Sequence, residues 1–539
     1  MPNLVDCSPS EWAATLPGVS QATASKSTGR CPRGRKQDET LGVDFAPLRA
    51  YQKAIRKNVD QGIIPGYCSI VLWHGHAIHV DAYGSADLER GVPMQTDTIV
   101  RCYCMGKSVV AAALMLLVER GKCDLEDEVS KYIPAFKDVR VAASLESIGP
   151  SQLDVPVRSK LTLRRLLTHC SGLGYGKELN LAPESPAELS YDGLVQAVEN
   201  GEVSDLAGFC DFLATRAPLR RQPGERFEYS YGLDVIGSVI EQIARQPLDR
   251  FLEEALFRPL GMMDTGFVVP RGSLPRLAAL YGSLDTAQSL GQVAEDGIVA
   301  DPPYSLFRLD GDSPEESNWA EGRSCPVLSG GGLVGHNRGG LVSTLNDMTR
   351  FCLMLASGGK IEGCPRIFKE STVAEMVGHD WLALPECLGA PQISEGTPGV
   401  TAKGPFGWNA LGELGVVSDP AELERAPDAF EFGEYGYGGI AETFWSVNPQ
   451  RGLVTLWFTQ QVDNHSWSSP TANLWAASRK AVASATRPPQ PLLQPRSRSR
   501  SREELPSATR PAKLHEKAVP RRRLSGKTTM VHEAPRRSS

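Results

Sequence analysis

Residues 99–134 read IVRCYCMGKSVVAAALMLLVERGKCDLEDEVSKYIP. A thiol at Cys104 follows a short apolar run, and Lys107 stands three residues later, just ahead of the apolar stretch Val109 to Val118. Residues three apart share one face of a helix, so this order predicts a strand end, a nucleophile at a turn and a buried helix. The segment therefore predicts that Cys104 and Lys107 share one face at the start of this helix.

Other nucleophile motifs are weak in this chain. Among the lysines, only Lys360 has a serine three residues earlier, Ser357, and the two glycines between them indicate a helix end and a turn. Residues 106–108 (GKS) suggest a phosphate-binding loop, but Arg101 stands where that loop needs glycine. The absence of a Gly-x-Ser-x-Gly elbow argues against the ordinary alpha/beta-hydrolase arrangement.

The composition is that of a globular protein. The chain has 539 residues, of which 41% are hydrophobic and 22% charged, enough for a substantial core. The N-terminus has no basic start followed by an apolar run, and Val109 to Val118 is shorter than the roughly 18 residues that span a bilayer. These features predict a soluble, cytoplasmic protein with no membrane span.

The cysteines and histidines do not suggest a metal or a cofactor. Twelve cysteines are spread along the chain without a Cys-x-x-Cys pair, which predicts reduced thiols rather than a zinc or disulfide framework. His74, His76 and His79 are close in sequence, but the apolar runs around them make a hairpin turn the simpler explanation. We predict no metal and no cofactor.

The chain divides into a leader, a body and a tail. Residues 1–43 mix Ser, Gly, Lys and Arg without periodicity, which is typical of a flexible segment. From Arg487 onward, 14 Lys or Arg accompany four Asp or Glu, whereas the whole chain has a formal net charge of −6, so the body is acidic. We predict a disordered basic tail over 486–539, with nucleic-acid contact through it as an alternative role.

Patterns within 44–485 predict one sheet built from both ends of the body. Apolar residues recur at helical spacing behind Asp44, a candidate N-cap, and two strands follow across the turn His74–Gly75. Strands are predicted again between 443 and 459, with a last helix opening near residue 468, while the region between is mostly helical. This order predicts an α/β (α+β) fold in which a helical domain is inserted into the sheet.

Five segments of the body, in chain order, resemble the beta-lactamase-related serine hydrolases, a family that includes class C beta-lactamases, penicillin-binding carboxypeptidases and esterases. The first is the opening run. The others are LTLRRLLTHCSGLGYG (161–176), QPGERFEYSYGLDVIGSVIEQIARQPLDRFLEEALFRPLGMMDTGF (222–267), LSGGGLVGHNRGGLVSTLNDMTRFCLMLASGG (328–359) and YGYGGIAETFWSVNP (435–449).

The resemblance covers about residues 44–485 and implies a fold and a catalytic set. The fold is an antiparallel sheet flanked by terminal helices, with an inserted all-helical subdomain and an active site in the cleft between them. Cys104 stands where the family has its nucleophilic serine. Lys107 and Tyr229 stand where the family's lysine and tyrosine share the proton transfers.

The last segment carries the substrate-binding residues that the resemblance implies. Tyr437, Gly438 and Gly439 stand where the family has Lys-Thr-Gly, His-x-Gly or Trp-Gly-Gly on the strand that lines the cleft. The amides of Cys104 and Ile440 correspond to the family's oxyanion donors. The lack of Lys-Thr-Gly, and of the Tyr-x-Asn element of beta-lactamases, favours esterase-like action over beta-lactamase action.

Two functions remain open for the body. One is a hydrolase or acyltransferase that acts on a small ester, amide or lactam-like molecule through a covalent acyl intermediate on Cys104. A helix N-terminus and a nearby ammonium favour a reactive thiolate, but sulfur forms longer bonds than the oxygen that the family uses. The other is therefore a degenerate family member, a pseudoenzyme that binds a ligand or partner without turnover.

Overall fold

A computed structural model describes residues 43–142, 154–175, 186–283, 306–331, 339–384, 406–416, 430–462 and 472–486, together with residues 286, 418 and 423. All of them fall within one compact unit, Met1–Pro488. The predicted leader, the predicted tail and the predicted start of the last helix near residue 468 lie outside the described residues, except for Val43 and Thr486.

The helices are α1 (Phe45–Asp60), α2 (Lys107–Glu119), α3 (Leu163–Leu167), α4 (Pro186–Glu199), α5 (Leu206–Arg216), α6 (Gly232–Ala244), α7 (Leu248–Leu252), α8 (Arg258–Leu260), α9 (Leu345–Ala356), α10 (Glu370–Val377) and α11 (Ala472–Ala485). The strands are β1 (Gly66–Trp73), β2 (His76–Asp87), β3 (Val92–Pro93), β4 (Val100–Arg101), β5 (Arg140–Val141), β6 (Val155–Pro156), β7 (Tyr281–Gly282), β8 (Phe307–Arg308), β9 (Val342–Ser343), β10 (Gly407–Trp408), β11 (Glu413–Leu414), β12 (Tyr435–Gly439), β13 (Thr443–Asn448), β14 (Leu453–Phe458) and β15 (Gln461–Val462).

The first elements form as the sequence predicts. Helix α1 begins after Asp44, whose side chain accepts a hydrogen bond from the Ala46 amide (2.9 Å) and so caps the helix. Strands β1 and β2 meet at His74 and Gly75, which both have positive φ, as a tight hairpin turn requires. The hairpin explanation of the histidines is thus confirmed.

One antiparallel sheet joins the two ends of the body. Its strands run in the order β10-β11-β12-β13-β14-β1-β2-β3. Strand β14 pairs directly with β1, with Cys68 opposite Phe458 and Trp73 opposite Leu453. The predicted neighbourhood of the strands of the 70s and those of 443–459 is therefore confirmed, as is the α/β (α+β) fold class.

Side chains of β1 alternate between the two faces of this sheet, as the pleat requires. Tyr67 and Val71 pack into a core with residues of α1 and α11. Cys68, Ile70 and Leu72 belong to the larger core, which contains residues of α2, α6 and α9. The terminal helices thus cover one face and leave the other to the helices that position the candidate site.

Helix α2 lies inside this larger core. Every residue from Lys107 to Leu117 is buried, which explains why the sequence gives the helix no polar face. Its apolar stretch is therefore a core helix. In the part of the chain that the structure describes, no helix is both long and apolar enough to cross a membrane.

The start of α9 holds a buried carboxyl group. Asp347 accepts hydrogen bonds from the Asp264 amide (2.8 Å) and the Thr265 hydroxyl (2.9 Å). Burial nevertheless raises the pKa of the Asp347 carboxyl to about 7. A carboxyl whose pKa rises on folding contributes its full stability below the unfolded value near 4 and loses that contribution as the pH rises through about 7.

We therefore expect the wild-type protein to lose stability between pH 5 and pH 8, and Asp347→Asn to remove roughly 2–3 kcal/mol of that loss. Urea unfolding at both pH values measures the difference. Asp264→Asn is the comparison variant for Asp347→Asn, because it removes a neighbouring carboxylate that pairs with Arg276. An Asp347→Asn variant with the wild-type pH dependence would assign the loss to other groups.

Candidate active site

The turn that carries Cys104 is held in an unusual backbone conformation. Tyr103 has φ of 45°, a left-handed value that costs energy for a residue with a bulky side chain. Its buried ring packs edge-on against Trp319, with centroids 5.6 Å apart. A short 3₁₀ turn, Tyr103–Gly106, then leads directly into α2 and leaves Cys104 partly exposed.

A fully buried arginine anchors the strand before this turn. The Arg101 guanidinium donates hydrogen bonds to the Asp310 carboxylate (2.5 Å), the Ser317 hydroxyl (3.0 Å) and the Ala278 carbonyl (2.7 Å). A buried cation needs such partners because its desolvation is costly. The acidic segment near residue 310 therefore fixes the position of the nucleophile turn, a role that its sequence did not indicate.

Lys107 is buried and lies against aromatic rings. Its Nζ donates a hydrogen bond to the Gly331 carbonyl and lies 4.7 Å from the centre of the Tyr229 ring and 5.9 Å from that of Tyr175. Within the described ranges, no hydrogen bond joins Lys107 to Cys104. The lysine is thus close to the predicted partners, but it contacts the face of the Tyr229 ring rather than the thiol.

Tyr229 is a residue of this site that interacts with the Cys104 side chain. The Tyr229 and Tyr437 hydroxyls share a hydrogen bond, with the oxygens 3.1 Å apart, and Tyr229 also interacts electrostatically with the Cys104 side chain. Burial raises the pKa of Tyr229 well above its ordinary value, and electrostatic interactions with Cys104 and Tyr437 raise it further. Tyr229 therefore keeps its proton near neutral pH.

His169 packs against the same tyrosine. The two rings lie 4.5 Å apart, and His169 Nδ1 accepts a hydrogen bond from the Ser230 amide (3.2 Å). Burial lowers the pKa of His169 well below its ordinary value, and the nearby Lys107 charge lowers it further. A neutral imidazole thus supports the Tyr229 ring without adding charge to the site.

Asp234 is a site neighbour that the sequence analysis missed. Its carboxylate accepts hydrogen bonds from the Ser329 hydroxyl (2.6 Å) and from the Gly331 amide (3.0 Å), while the Gly331 carbonyl accepts from Lys107. Burial raises the pKa of Asp234, and the Lys107 charge opposes that rise. A lone carboxylate in the apolar opening of α6 was the signal, because aspartate is almost never fully buried unless it is paired.

Strand β12 approaches the nucleophile turn at its glycines. A Cβ atom added to Gly439 would lie 2.2 Å from the Cys102 carbonyl oxygen, and one added to Gly438 would lie 2.5 Å from the Phe444 ring. The β12–β13 ladder ends at the Gly439–Thr443 pair, so Ile440 follows the last ladder residue. Only glycine fits this close approach, which brings the end of the strand beside the turn.

Tyr229 thus hydrogen-bonds to Tyr437 and interacts with Cys104, Lys107 lies on the Tyr229 ring, and Gly439 approaches the Cys102 carbonyl just before the turn. In the part of the chain that the structure describes, no group of three His, Cys, Asp or Glu side chains could hold a metal ion.

A family model described as Beta-lactamase matches residues 51–478. The chain belongs to the beta-lactamase family. It is 30% identical over 421 residues to Protein Rv1367c of Mycobacterium tuberculosis, covering 77% of this chain and 90% of that protein. It is 34% identical over 456 residues to Esterase EstB of Burkholderia gladioli, covering 82% and 97% respectively.

Solved structures agree on the fold. Simvastatin synthase (LovD) of Aspergillus terreus superimposes with a TM-score of 0.61 at 21% identity, covering 82% of this chain and all of that one. The predicted beta-lactamase/transpeptidase-like fold is confirmed. The prediction of a hydrolase of the beta-lactamase-related type is confirmed at the level of the family.

Proposed function

We propose that the protein is an esterase-like hydrolase or acyltransferase that carries its acyl group on the Cys104 sulfur. The observation that carries this proposal is that the partly exposed Cys104 thiol lies on the turn that opens α2 and interacts with Tyr229, whose ring also faces the Lys107 amine. A nucleophile in contact with a proton-transfer group, on a turn at the start of a helix, is the arrangement that acyl transfer needs. The names of the esterase and synthase relatives support the same reaction class.

The reaction balances with the groups present. The Cys104 sulfur forms a bond to the carbonyl carbon of an ester, and the carbonyl oxygen takes the negative charge beside the amides of Cys104 and Ile440. The bond to the leaving alcohol then breaks. The thiol proton has left to solvent before the attack, so Tyr229 gives its own proton to the leaving oxygen, and the resulting tyrosinate then takes a proton from the incoming water or alcohol. Water or an acceptor alcohol reverses these steps and releases the acyl group.

The side chains around the tyrosines favour an ester without a charged group. The Trp408 ring packs edge-on against the rings of Tyr437 and His169, with centroids 5.5 Å and 5.3 Å apart. The surroundings of the hydroxyl pair are therefore aromatic. Tyr437 also replaces the lysine that the resemblance implies for enzymes acting on lactams. A neutral phenol offers no charge to a substrate carboxylate, which supports esters over lactams.

Intact-mass analysis after exposure to short-chain activated esters and to a lactam tests the proposal. We expect one acyl adduct per molecule, mapped to Cys104, with esters reacting faster than the lactam. Cys123 and Cys364 are also partly exposed and serve as internal controls for general thiol acylation. No adduct, or equal labelling of the three cysteines, would overturn the proposal.

A binding protein without turnover is the second candidate. The observation in its favour is that the Lys107 amine hydrogen-bonds to the Gly331 carbonyl instead of the nucleophile. Such a protein would retain the cleft while lacking a competent base. It would bind an ester analogue with unchanged affinity after Cys104→Ala, and wild-type Cys104 would react with alkylating reagents no faster than Cys123.

A further inference from the structure

We infer that Gln460 and Thr443 are positioning residues that hold the two turns of the site in register. One turn carries Cys104, and the other spans residues 440–442. The inference deepens the proposed function and rests on it, because that function takes one oxyanion donor from each turn, the amides of Cys104 and Ile440. Neither positioning side chain has to touch the substrate, since each acts through the backbone that it binds.

The Gln460 side chain binds the backbone just before the nucleophile turn. Its Oε1 accepts a hydrogen bond from the Arg101 amide (2.9 Å), and its Nε2 donates one to the Arg101 carbonyl (3.2 Å). A backbone amide only donates and a carbonyl only accepts, so these partners fix the orientation of the side-chain amide. Gln460 thus takes the place of a neighbouring strand beside β4, three residues before Cys104.

The residues on either side of Gln460 bind the second turn. The Thr459 amide donates a hydrogen bond to the Glu442 carbonyl (3.0 Å). The Gln461 amide donates one to the Ala441 carbonyl (3.3 Å). Glu442 has φ of 60°, a left-handed value that persists only where the surroundings hold it. This short segment therefore fixes both turns, because its backbone binds one and the Gln460 side chain binds the strand that leads into the other.

A second tie joins the two turns directly. Thr443 follows the second turn, and its hydroxyl donates a hydrogen bond to the Cys102 carbonyl across 3.3 Å. Both residues are almost fully buried, and a Cβ atom added to Gly439 would lie 2.6 Å from the Thr443 side-chain oxygen. Glycine at position 439 therefore lets the two turns approach closely enough for this bond.

Register between the turns matters for one kind of reaction at Cys104. Acylation places negative charge on a carbonyl oxygen, and donors stabilise that charge only where they converge on it. Alkylation by iodoacetamide forms a sulfur–carbon bond and releases iodide, so it needs the thiolate but places no new charge on a carbonyl oxygen. Loosening the ties should therefore slow acylation and leave alkylation unchanged, whereas a general loss of thiol reactivity would slow both.

Gln460→Met and Thr443→Val remove the two ties with little change in side-chain volume. We expect each variant to form the acyl adduct at Cys104 roughly 10-fold more slowly with an activated ester, while iodoacetamide alkylates Cys104 at the wild-type rate. Peptide mass spectrometry measures both rates at one pH. Thr443→Val leaves no unpaired carbonyl, because the Cys102 oxygen also accepts from the Met105 amide (3.1 Å). It therefore tests the inference even where Gln460→Met fails to fold.

Two variants with matched chemistry serve as controls. Gln222 binds backbone as Gln460 does, since it accepts from the Arg158 amide (2.8 Å) and donates to the Pro156 carbonyl (3.2 Å). The buried Thr349 hydroxyl donates to a backbone carbonyl within α9 (2.7 Å). Gln222→Met and Thr349→Val should leave both rates unchanged.

Hydrogen exchange separates this inference from the proposed function. Thr443→Val should raise amide exchange in a peptide over 435–448 but not in one over 107–119, and Thr443→Ser, which keeps the hydroxyl, should restore both exchange and the acylation rate. A wild-type protein that forms no acyl adduct yet shows this exchange pattern contradicts the proposed function and leaves the joining of the turns in place. Unchanged acylation in Thr443→Val, equal slowing of acylation and alkylation, or unchanged exchange would overturn the inference.

Discussion

Cys104→Ala is expected to abolish acyl transfer, and Cys104→Ser is expected to fall at least about 100-fold below wild type in kcat/KM toward activated esters. Serine would need a base to become an alkoxide, but the Tyr229 pKa is held well above its ordinary value. The Lys107 amine is engaged by the Gly331 carbonyl. The site therefore suits a thiol better than a hydroxyl, because thiols in general give up their proton more readily.

The same measurement can contradict this expectation. If Cys104→Ser raises esterase activity above that of the wild type, the site is a degenerate serine-hydrolase site whose other groups still support an oxygen nucleophile. Cys364→Ala is the matched control, because that thiol is also partly exposed and contacts only the Arg350 side chain (3.6 Å) among its hydrogen bonds in the described residues. Its variant should keep full activity, which separates the loss of one particular thiol from general damage.

The sheet could be predicted from the sequence because its signals are local. Asp44 ahead of a helical period, the His74–Gly75 turn and the alternating strands each specify their own element, and the need to bury both faces of the strands brings the ends together. The pairing of β1 with β14 follows from that need. The register of this pairing does not follow from the need to bury both faces, because nothing in the local sequence specifies that Cys68 lies opposite Phe458.

The site was predictable in its members but not in its contacts. Spacing placed Lys107 one turn after Cys104, and a shared helix face suggested that their side chains meet. The Lys107 amine instead donates a hydrogen bond to the carbonyl of Gly331, which lies 224 residues further along the chain. A residue that does interact with the Cys104 side chain is Tyr229. Contacts made by loops from distant parts of the chain leave no periodic signal, so they need the fold.

Lys107→Met is the second change expected to have a large effect, and it should act on stability as well as on activity. Gly331 bonds to both charged groups, because its carbonyl accepts a hydrogen bond from Lys107 and its amide donates one to Asp234. Removing the cation leaves a buried carboxylate without its counter-charge, which typically costs about 3–5 kcal/mol. We also expect acyl transfer to fall at least about 100-fold.

The pH dependence distinguishes this from a simple packing loss. Without Lys107, the folded-state pKa of Asp234 rises further above its unfolded value near 4, so stability is retained at low pH and lost as the pH rises. Urea unfolding of Lys107→Met should therefore show a larger deficit at pH 8 than at pH 5. Lys131→Met removes an exposed lysine that pairs with Asp127 (2.8 Å) and should leave stability nearly unchanged at either pH.

Combining Lys107→Met with Asp234→Asn should restore most of the lost stability at pH 8, because no buried charge remains, while acyl transfer stays low. A double variant that stays as unstable as Lys107→Met would show that the lysine stem, rather than its charge, supports the helix. A double variant that regains activity would show that Lys107 serves only to neutralise Asp234. The expected separation, with stability restored and activity lost, would assign the Lys107 amine to both the fold and the chemistry.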